Sequence, residues 1–158
     1  MNGLSAASGE LAVSVRLATI EDAGRIAELS SQLGYPASAV DAERRLKLIA
    51  DAPDNVVIVA ALPEGPVIGW LHAYVRRVLE SEPSAEIGGL VVDEQYRGQG
   101  AGRLLMEHVE RWAQRAGCTA VSLRSNILRD GAHRFYQGLG YTMIKTQHAF
   151  RKKLDRRH

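Results

Sequence analysis

The stretch that decides the fold covers residues 87–110 and reads I-G-G-L-V-V-D-E-Q-Y-R-G-Q-G-A-G-R-L-L-M-E-H-V-E. An apolar run ends at Val92, a glycine-rich turn occupies residues 97–102, and apolar residues at helical spacing continue from Leu104. The pattern therefore predicts a buried strand, a tight turn and an amphipathic helix, in that order.

The turn itself predicts a binding site for a pyrophosphate group. Gly98, Gly100 and Gly102 lack Cβ atoms, so the backbone can bend tightly and approach a bulky ligand. The turn opens directly into a helix, whose free N–H groups and positive dipole end favour phosphate. Arg97 and Arg103 add positive charge on either side of it.

Two common phosphate-binding motifs do not fit this turn, because it is neither G-x-G-x-x-G nor a glycine loop ending in Gly-Lys-Ser/Thr. Residues 97–102 instead form R-x-x-G-x-G after a strand, which resembles the coenzyme A signature of the GNAT superfamily of acyl-CoA-dependent N-acetyltransferases. The resemblance covers roughly residues 13–154. It continues in the family's order and spacing through Asn126, Ala132, Phe135, Tyr136 and residues 139–141.

Hydrophobic periodicity and turn residues predict a single α/β domain with a mixed sheet and the element order βααβββαβαββ. A helix lies between the central strand and the next one, which implies a right-handed crossover and one parallel strand pair. Paired glycines in mid-strand, Gly88 and Gly89, predict a bulge that splays this pair. The predicted strands are residues 13–18, 56–62, 67–75, 85–92, 119–123, 141–144 and 148–152, with a loop over 81–84 and a helix over 130–139.

The predicted domain spans residues 13–154, between a flexible N-terminal segment, 1–12, and a basic tail, 155–158. Apolar residues make up 46% of the 158 and charged residues 24%, which is typical of a globular domain. The formal net charge of +2 argues against a general nucleic-acid binder.

The single cysteine, Cys118, excludes an internal disulfide and a cysteine-based zinc site, and we predict no metal. No apolar run reaches the roughly 18 residues of a membrane span, and the N-terminus lacks a secretory signal pattern. The composition therefore predicts a cytoplasmic location without membrane or nucleic-acid partners.

The resemblance implies that acetyl-CoA is the co-substrate and that its pantetheine arm pairs with the central strand. Backbone groups of Leu90, Val91 and Val92 would supply that pairing, and the amide of Asn126 suits a pantetheine amide. The implied pyrophosphate contacts are Arg97, Gly98, Gln99, Gly100, Ala101, Gly102 and Arg103.

The resemblance also implies the catalytic residues. Ala132 and Tyr136 are four residues apart and share a helix face, so the small side chain leaves room for the coenzyme beside the phenol. A phenol has an unperturbed pKa of about 10, so Tyr136 can act as the general acid toward the leaving thiolate. Glu86 is the candidate base, directly or through water. Further candidates for base or acceptor contacts are His72, Tyr74, Glu80 and Glu82.

These residues predict an enzyme that transfers the acetyl group of acetyl-CoA to a primary amine of a small molecule, by direct attack in a ternary complex. A catalytically silent acyl-CoA-binding module and an enzyme acting on a peptide or protein amine stay open as alternatives. Residues 125–136 are similar to those of aminoalkylphosphonate N-acetyltransferases. Edge-to-edge pairing of the two closing strands predicts a homodimer.

Overall fold

The computed structural model describes residues 12–124 and 130–156, which belong to two compact units divided after Leu123. In the described residues, the first unit contains the strands β1 (Ser14–Leu17), β2 (Asn55–Ala61), β3 (Val67–Val78), β4 (Ser81–Val92) and β5 (Val121–Leu123). Its α-helices are α1 (Ala23–Gln32), α2 (Ala39–Ala50) and α3 (Ala101–Arg115), with single 3-10 turns at Ile20–Asp22 and Glu94–Tyr96. The second unit contains α4 (Asp130–Gly138).

The sheet of the first unit has the strand order β1-β2-β3-β4-β5. All neighbouring strands are antiparallel except β4 and β5, which pair in parallel. The helix α3 connects these two strands, as a parallel pair requires. The predicted mixed α/β fold is therefore confirmed, including its parallel pair.

A bulge interrupts β4 where the sequence has two glycines. His72 of β3 lies opposite Gly89 and Ala73 lies opposite Ile87, so Gly88 is the extra residue of β4. A Cβ on Gly89 would lie 2.7 Å from Cη2 of Trp70, so only glycine allows the indole to pack across the strand there. The predicted bulge is confirmed.

The two faces of the sheet carry different helices. A Cβ on Gly69 would lie 3.3 Å from Cδ1 of Leu105, which places α3 on the face that also carries the buried Leu71 and Ala73. The opposite face packs Val59 and Val91 against α1 and α2. Because side chains alternate along a strand, Trp70, His72 and Tyr74 share this second face.

Local capping explains where several helices begin and end. The Ser38 hydroxyl accepts a hydrogen bond of 3.0 Å from the backbone N–H of Asp41 and so caps α2. The Asp22 carboxylate accepts a bond of 2.8 Å from the backbone N–H of Thr19 at the start of the first helical turn. Gly117 follows α3 with a φ of +84°, a conformation that favours glycine.

The predicted loop over residues 81–84 is wrong, because these residues begin β4. Arg76 pairs with Ser84 and Val78 pairs with Ser81, so β3 and β4 form a long hairpin with Leu79 and Glu80 at its tip. The segment is polar and contains a proline, features that suggest a loop. A register shift between Arg76 and Val78 allows this segment to pair with β3.

The two predicted closing strands are also wrong for the residues that the structure describes. Residues 141–156 form neither helix nor strand, and Met143, Ile144, Phe150 and Leu154 are exposed. A strand needs a neighbouring edge to satisfy its N–H and C=O groups, and an alternating pattern alone does not supply one. Among the described helices, none combines the length and apolar composition needed to cross a membrane.

Candidate active site

The glycine-rich turn follows β4 through one 3-10 turn and leads directly into α3. Gly98 and Gly100 have φ angles of +77° and +96°, so both positions favour glycine. Gly100 is the N-cap of α3, and its carbonyl accepts 3.0 Å from the N–H of Leu104. The N–H groups of residues 101–103 therefore lie in the first helical turn, where no intrahelical acceptor exists. The strand, turn and helix predicted from the sequence are confirmed.

Two arginines flank this helix start. Arg97 donates from Nε to the carbonyl of Val92 at 3.1 Å, so its side chain folds back onto the end of β4. Arg97 and Arg103 are both exposed, as are Gly98 and Gly100, while Gln99 and Gly102 are half-buried and Ala101 is buried. The turn thus combines first-turn donors with accessible positive charge, which suits an anionic ligand.

The central strand changes partners along its length. The parallel pairing with β5 covers Ala85, Glu86 and Ile87. From Leu90 to Val92, β4 pairs with β3, and no second strand among the described residues pairs with it on the other side. Val91 is 2% exposed and belongs to the core, so its side chain is not available to a ligand. An extended molecule could add to this strand.

A buried carboxylate that the sequence analysis missed holds the start of the turn. Asp93 lies directly after β4 and is 5% exposed. Its Oδ1 accepts 3.0 Å from the N–H of Gln95 and 3.4 Å from Nε2 of Gln32, and its Oδ2 pairs with Arg25. The hydrogen bond from Gln95 and the pairing with Arg25 lower the pKa of Asp93 against the opposing effect of burial. The only local indication of this role in the sequence is an aspartate between a predicted strand and a predicted turn. Its partners Arg25 and Gln32 are more than 60 residues away, so the sequence pattern does not show the contacts.

Glu86, the predicted base, lies inside the sheet. It is 8% exposed, opposite Tyr74 of β3 and beside Ser122 of β5. Arg76 approaches it, with 3.6 Å between Nε and Oε2. A carboxylate thus occupies the face of the sheet that also carries Trp70, with a cation nearby.

The same face carries three more polar side chains beyond the α1–α2 core. His72 and Tyr74 follow Trp70 on β3, with 5.9 Å between their ring centroids. Nε2 of His72 lies 2.8 Å from Oδ1 of Asn55 on β2. The structure thus assembles a set that we call the polar face: Asn55, His72, Tyr74, Arg76 and Glu86. Of the candidates named from the sequence, His72, Tyr74 and Glu86 belong to this polar face. The other two, Glu80 and Glu82, are exposed near the tip of the β3–β4 hairpin and lie outside it.

The second unit contains the predicted acid. Ala132 and Tyr136 are one turn apart in α4 and both are half-buried. The Tyr136 ring contacts Phe135 and Tyr141 edge to face, with centroid distances of 5.1 and 6.2 Å. Asn126 lies outside the described residues.

The described residues contain no group of three or more side chains that could hold a metal ion. Cys118 is half-buried between α3 and β5, and burial raises the pKa of its thiol. A raised pKa disfavours the thiolate, so this cysteine is poorly suited to act as a nucleophile.

Comparison with known proteins identifies the family. The family model of the acetyltransferase (GNAT) family matches residues 23–141. Aminoglycoside N(6')-acetyltransferase type 1 of Stenotrophomonas maltophilia is 30% identical over 149 residues, covering 91% of this chain and 95% of that protein. Aminoalkylphosphonate N-acetyltransferase of Salmonella typhimurium is 38% identical over 88 residues, which are 55% of this chain and 57% of that protein.

A solved structure shares the fold. AAC(6')-Iy, in complex with the bisubstrate analogue CoA-S-monomethyl-acetylneamine, superposes with a TM-score of 0.79 at 20% identity, over 90% of this chain and 99% of that one. Fold, turn and matches together define an acyl-CoA-dependent N-acetyltransferase. The chain belongs to the GNAT family of acetyltransferases.

Proposed function

We propose that this enzyme transfers the acetyl group of acetyl-CoA to a primary amine of a small molecule, by direct attack in a ternary complex. The observation that carries the proposal is the turn at the end of β4. It joins the Leu90–Val92 part of β4, which pairs with only one strand among the described residues, to a helix start with first-turn N–H donors and two exposed arginines. This combination fits an extended ligand that ends in a pyrophosphate.

The pyrophosphate accepts hydrogen bonds from backbone N–H groups of residues 98–103, and Arg97 and Arg103 supply opposite charge. Asn126 and Ala132 are assigned to the coenzyme by the family resemblance. The pantetheine arm lies along Leu90–Val92 and uses backbone groups only, which agrees with the burial of the Val91 side chain. Backbone N–H groups near the Gly88 bulge polarise the thioester carbonyl.

Two side chains are assigned roles in proton transfer and in stabilising the charge of the acceptor. The Tyr136 hydroxyl donates its proton to the departing thiolate, which an un-ionised phenol can do at neutral pH. The base that accepts the proton of the acceptor, directly or through water, is Glu86 or another titratable residue of the polar face, and Glu86 also attracts the ammonium form. Its burial in the polar face supports this role, because a buried carboxylate interacts more strongly with a cation than one in bulk water.

The acceptor is proposed as a small primary amine. The names of the two curated relatives describe N-acetylation of an aminoglycoside and of an aminoalkylphosphonate. On this chain, Arg76 pairs with Glu86 and Arg77 pairs with Asp54. An acidic group of the acceptor would therefore compete with two carboxylates for these arginines, which favours an acceptor recognised by its amine.

A panel of small amines, with thiol release from acetyl-CoA as the readout, tests the proposal. We expect at least one amine to give stoichiometric thiol release and an N-acetylated product by mass spectrometry. Calorimetry with acetyl-CoA alone separates the alternatives. Tight binding without thiol release across aminoglycosides, aminoalkylphosphonates and peptide N-termini would favour a silent acyl-CoA-binding module, and release with the peptides alone would favour a protein acceptor.

We also propose that the enzyme forms a homodimer. Several large apolar side chains of residues 141–156 are exposed, and burying them against a second copy would stabilise the pair. Light scattering across a concentration series should give a dimer mass that Phe150→Ser shifts toward the monomer. A monomer mass at every concentration would refute the dimer.

A further inference from the structure

His72 is the member of the polar face that lies between Asn55 of β2 and the bulge of β4. Its imidazole is half-buried between β2 and β4, on the same face as Glu86. The other charged or titratable groups of the polar face are Tyr74 and Arg76 on β3 and Glu86 on β4. Farther along the same side of the sheet, Arg16 of β1 lies opposite Val59 and is paired with Asp22. The strand β2 contributes Asn55, which does not titrate.

Asn55 determines which ring nitrogen of His72 carries the proton. Nε2 lies 2.8 Å from Oδ1 of Asn55, and an amide oxygen can only accept a hydrogen bond. Nε2 is therefore the donor, so in the neutral ring Nδ1 carries a lone pair. Burial lowers the pKa of His72, and no charged side chain of the described residues contributes to that shift. Burial thus favours the neutral form of the ring.

The bulge in β4 lies directly beside Nδ1 of His72. A Cβ on Gly88 would lie 2.8 Å from Nδ1, so any side chain there would cover the lone pair. Gly88 is exposed, although the residues before it in β4 are buried. Within the described residues Nδ1 makes no hydrogen bond of its own. The exposed glycine of the bulge therefore lies beside the atom that can accept a proton.

We propose that His72 is the general base of the reaction and that Asn55 is its positioning residue. The inference rests on the proposed function and deepens it, because it specifies an acceptor that arrives as an ammonium ion. Nδ1 of His72 takes one proton from the ammonium group of the acceptor. The negative charge of Glu86 stabilises the positive charge that passes from the ammonium group to the imidazole. The amine lone pair then forms the C–N bond as the C–S bond breaks. The thiolate gains a proton from Tyr136, the product nitrogen returns one to the phenol through solvent, and His72 releases its proton to water.

The decisive variant is His72→Gln, whose amide can still donate to Asn55 but cannot titrate. At pH 7 we expect kcat/KM for the amine to fall about 100-fold, the low end of the effect of a positioned base. The decline of kcat/KM toward acid pH should shift to the higher pH range in which the acceptor amine itself loses its proton, and acetyl-CoA affinity should not change. At about pH 9.5 the deficit should shrink at least tenfold, because more of the acceptor amine is already deprotonated.

Three further variants make the test specific. His108→Gln is the matched control, since this half-buried histidine on α3 also has a lowered pKa but lies outside the polar face, and its profile should match the wild type. Asn55→Ala should move the acid limb of the pH profile, and Gly88→Ala should reproduce the loss seen in His72→Gln. Urea unfolding of each variant shows whether a loss reflects folding instead.

The outcomes separate the two proposals. A wild type that releases thiol with an amine, together with an unchanged pH profile in His72→Gln, would overturn the role of His72 and leave the proposed function intact. A deficit in His72→Gln that is equal at neutral and alkaline pH would show a structural role and would also overturn it. A wild type that binds acetyl-CoA but acetylates no amine would refute the proposed function.

Discussion

Arg25 of α1 donates from Nη2 to Oδ2 of Asp93 at 2.5 Å, across 68 positions of the sequence. The same arginine donates from Nε to the carbonyl of Val67 at 2.7 Å, and Gln32 at the end of α1 accepts 3.0 Å from the N–H of Glu94. The first helix is therefore bonded to the residues that lead into the glycine-rich turn. Asp93 connects the two, because its carboxylate also accepts from the 3-10 turn that follows it.

This connection predicts that Asp93 stabilises the fold. Asp93→Ala leaves the guanidinium of Arg25 without its buried partner and the N–H of Gln95 without an acceptor. The Arg25 side chain is 26% exposed, so water replaces part of the loss. We expect the free energy of unfolding to fall by about 1–3 kcal/mol in urea titration. Glu43→Ala, which removes an exposed i,i+4 pair with Lys47, is the control and should change it by less than about 0.5 kcal/mol.

Asp93 also predicts how stability depends on pH. Its pKa is lowered in the folded protein, so the folded state favours the carboxylate more than the unfolded chain does. The stabilisation is therefore complete above the unfolded pKa of about 3.9 and is lost as the pH falls through the lower folded value. Between pH 5 and pH 2 the wild type should lose more stability than Asp93→Asn does. Parallel unfolding curves for the two proteins across that range would contradict the assignment.

Signals within a few residues of each other predicted most of the fold. Gly98, Gly100, Gly117 and Gly140 all have positive φ angles. The first two form the turn before α3, and the other two follow the ends of α3 and α4, so the sequence shows these positions directly. The bulge at Gly88 was readable for the same reason, since glycine in mid-strand weakens a strand unless the backbone needs it.

Features that depend on distant partners could not be predicted. The contact between Asn55 and His72 and the pair between Arg25 and Asp93 join residues on different strands and helices, and no local pattern records them. Residues 81–84 are polar, yet they form a strand because β3 supplies their backbone partners. Residues 141–152 have a strand pattern, yet the structure shows no strand there, because a strand also needs a neighbouring edge with which to pair.

The variant Gly102→Leu tests whether the glycine-rich turn binds the pyrophosphate of acetyl-CoA. Gly102 lies in the first turn of α3, where leucine favours the helix more than glycine does, so the fold should be retained. The added side chain should obstruct the approach of a pyrophosphate and abolish acetyl-CoA binding in calorimetry. Gly100→Leu is a poorer probe, because a φ of +96° strains any side chain at that position.

The control for that variant is Gly24→Ala on α1. No atom lies within 4 Å of a Cβ built on Gly24, so the substitution should raise the free energy of unfolding by about 0.5–1 kcal/mol and leave binding unchanged. Unchanged acetyl-CoA affinity in a folded Gly102→Leu variant would show that the phosphates bind elsewhere.

Tyr136→Phe tests the proposed acid and separates an enzyme from a silent binder. The variant keeps the ring that contacts Phe135 and Tyr141, so the packing of the second unit should change little. A proton given to the leaving thiolate stabilises the transition state and not the bound thioester. With an accepted amine, kcat should therefore fall about 100-fold while the acetyl-CoA affinity stays the same.

Other results would assign the hydroxyl a different role. A weaker acetyl-CoA affinity with unchanged kcat would make it a binding contact, and no change in either would leave the ring as a packing residue only. The measurement needs an acceptor at saturation, because slow hydrolysis of the thioester releases thiol without the transfer step. Product quantified by mass spectrometry, alongside thiol release, distinguishes transfer from hydrolysis. If Tyr136→Phe slows the formation of the N-acetylated product but not hydrolysis of the thioester, the hydroxyl takes part in a proton transfer that accompanies attack by the amine.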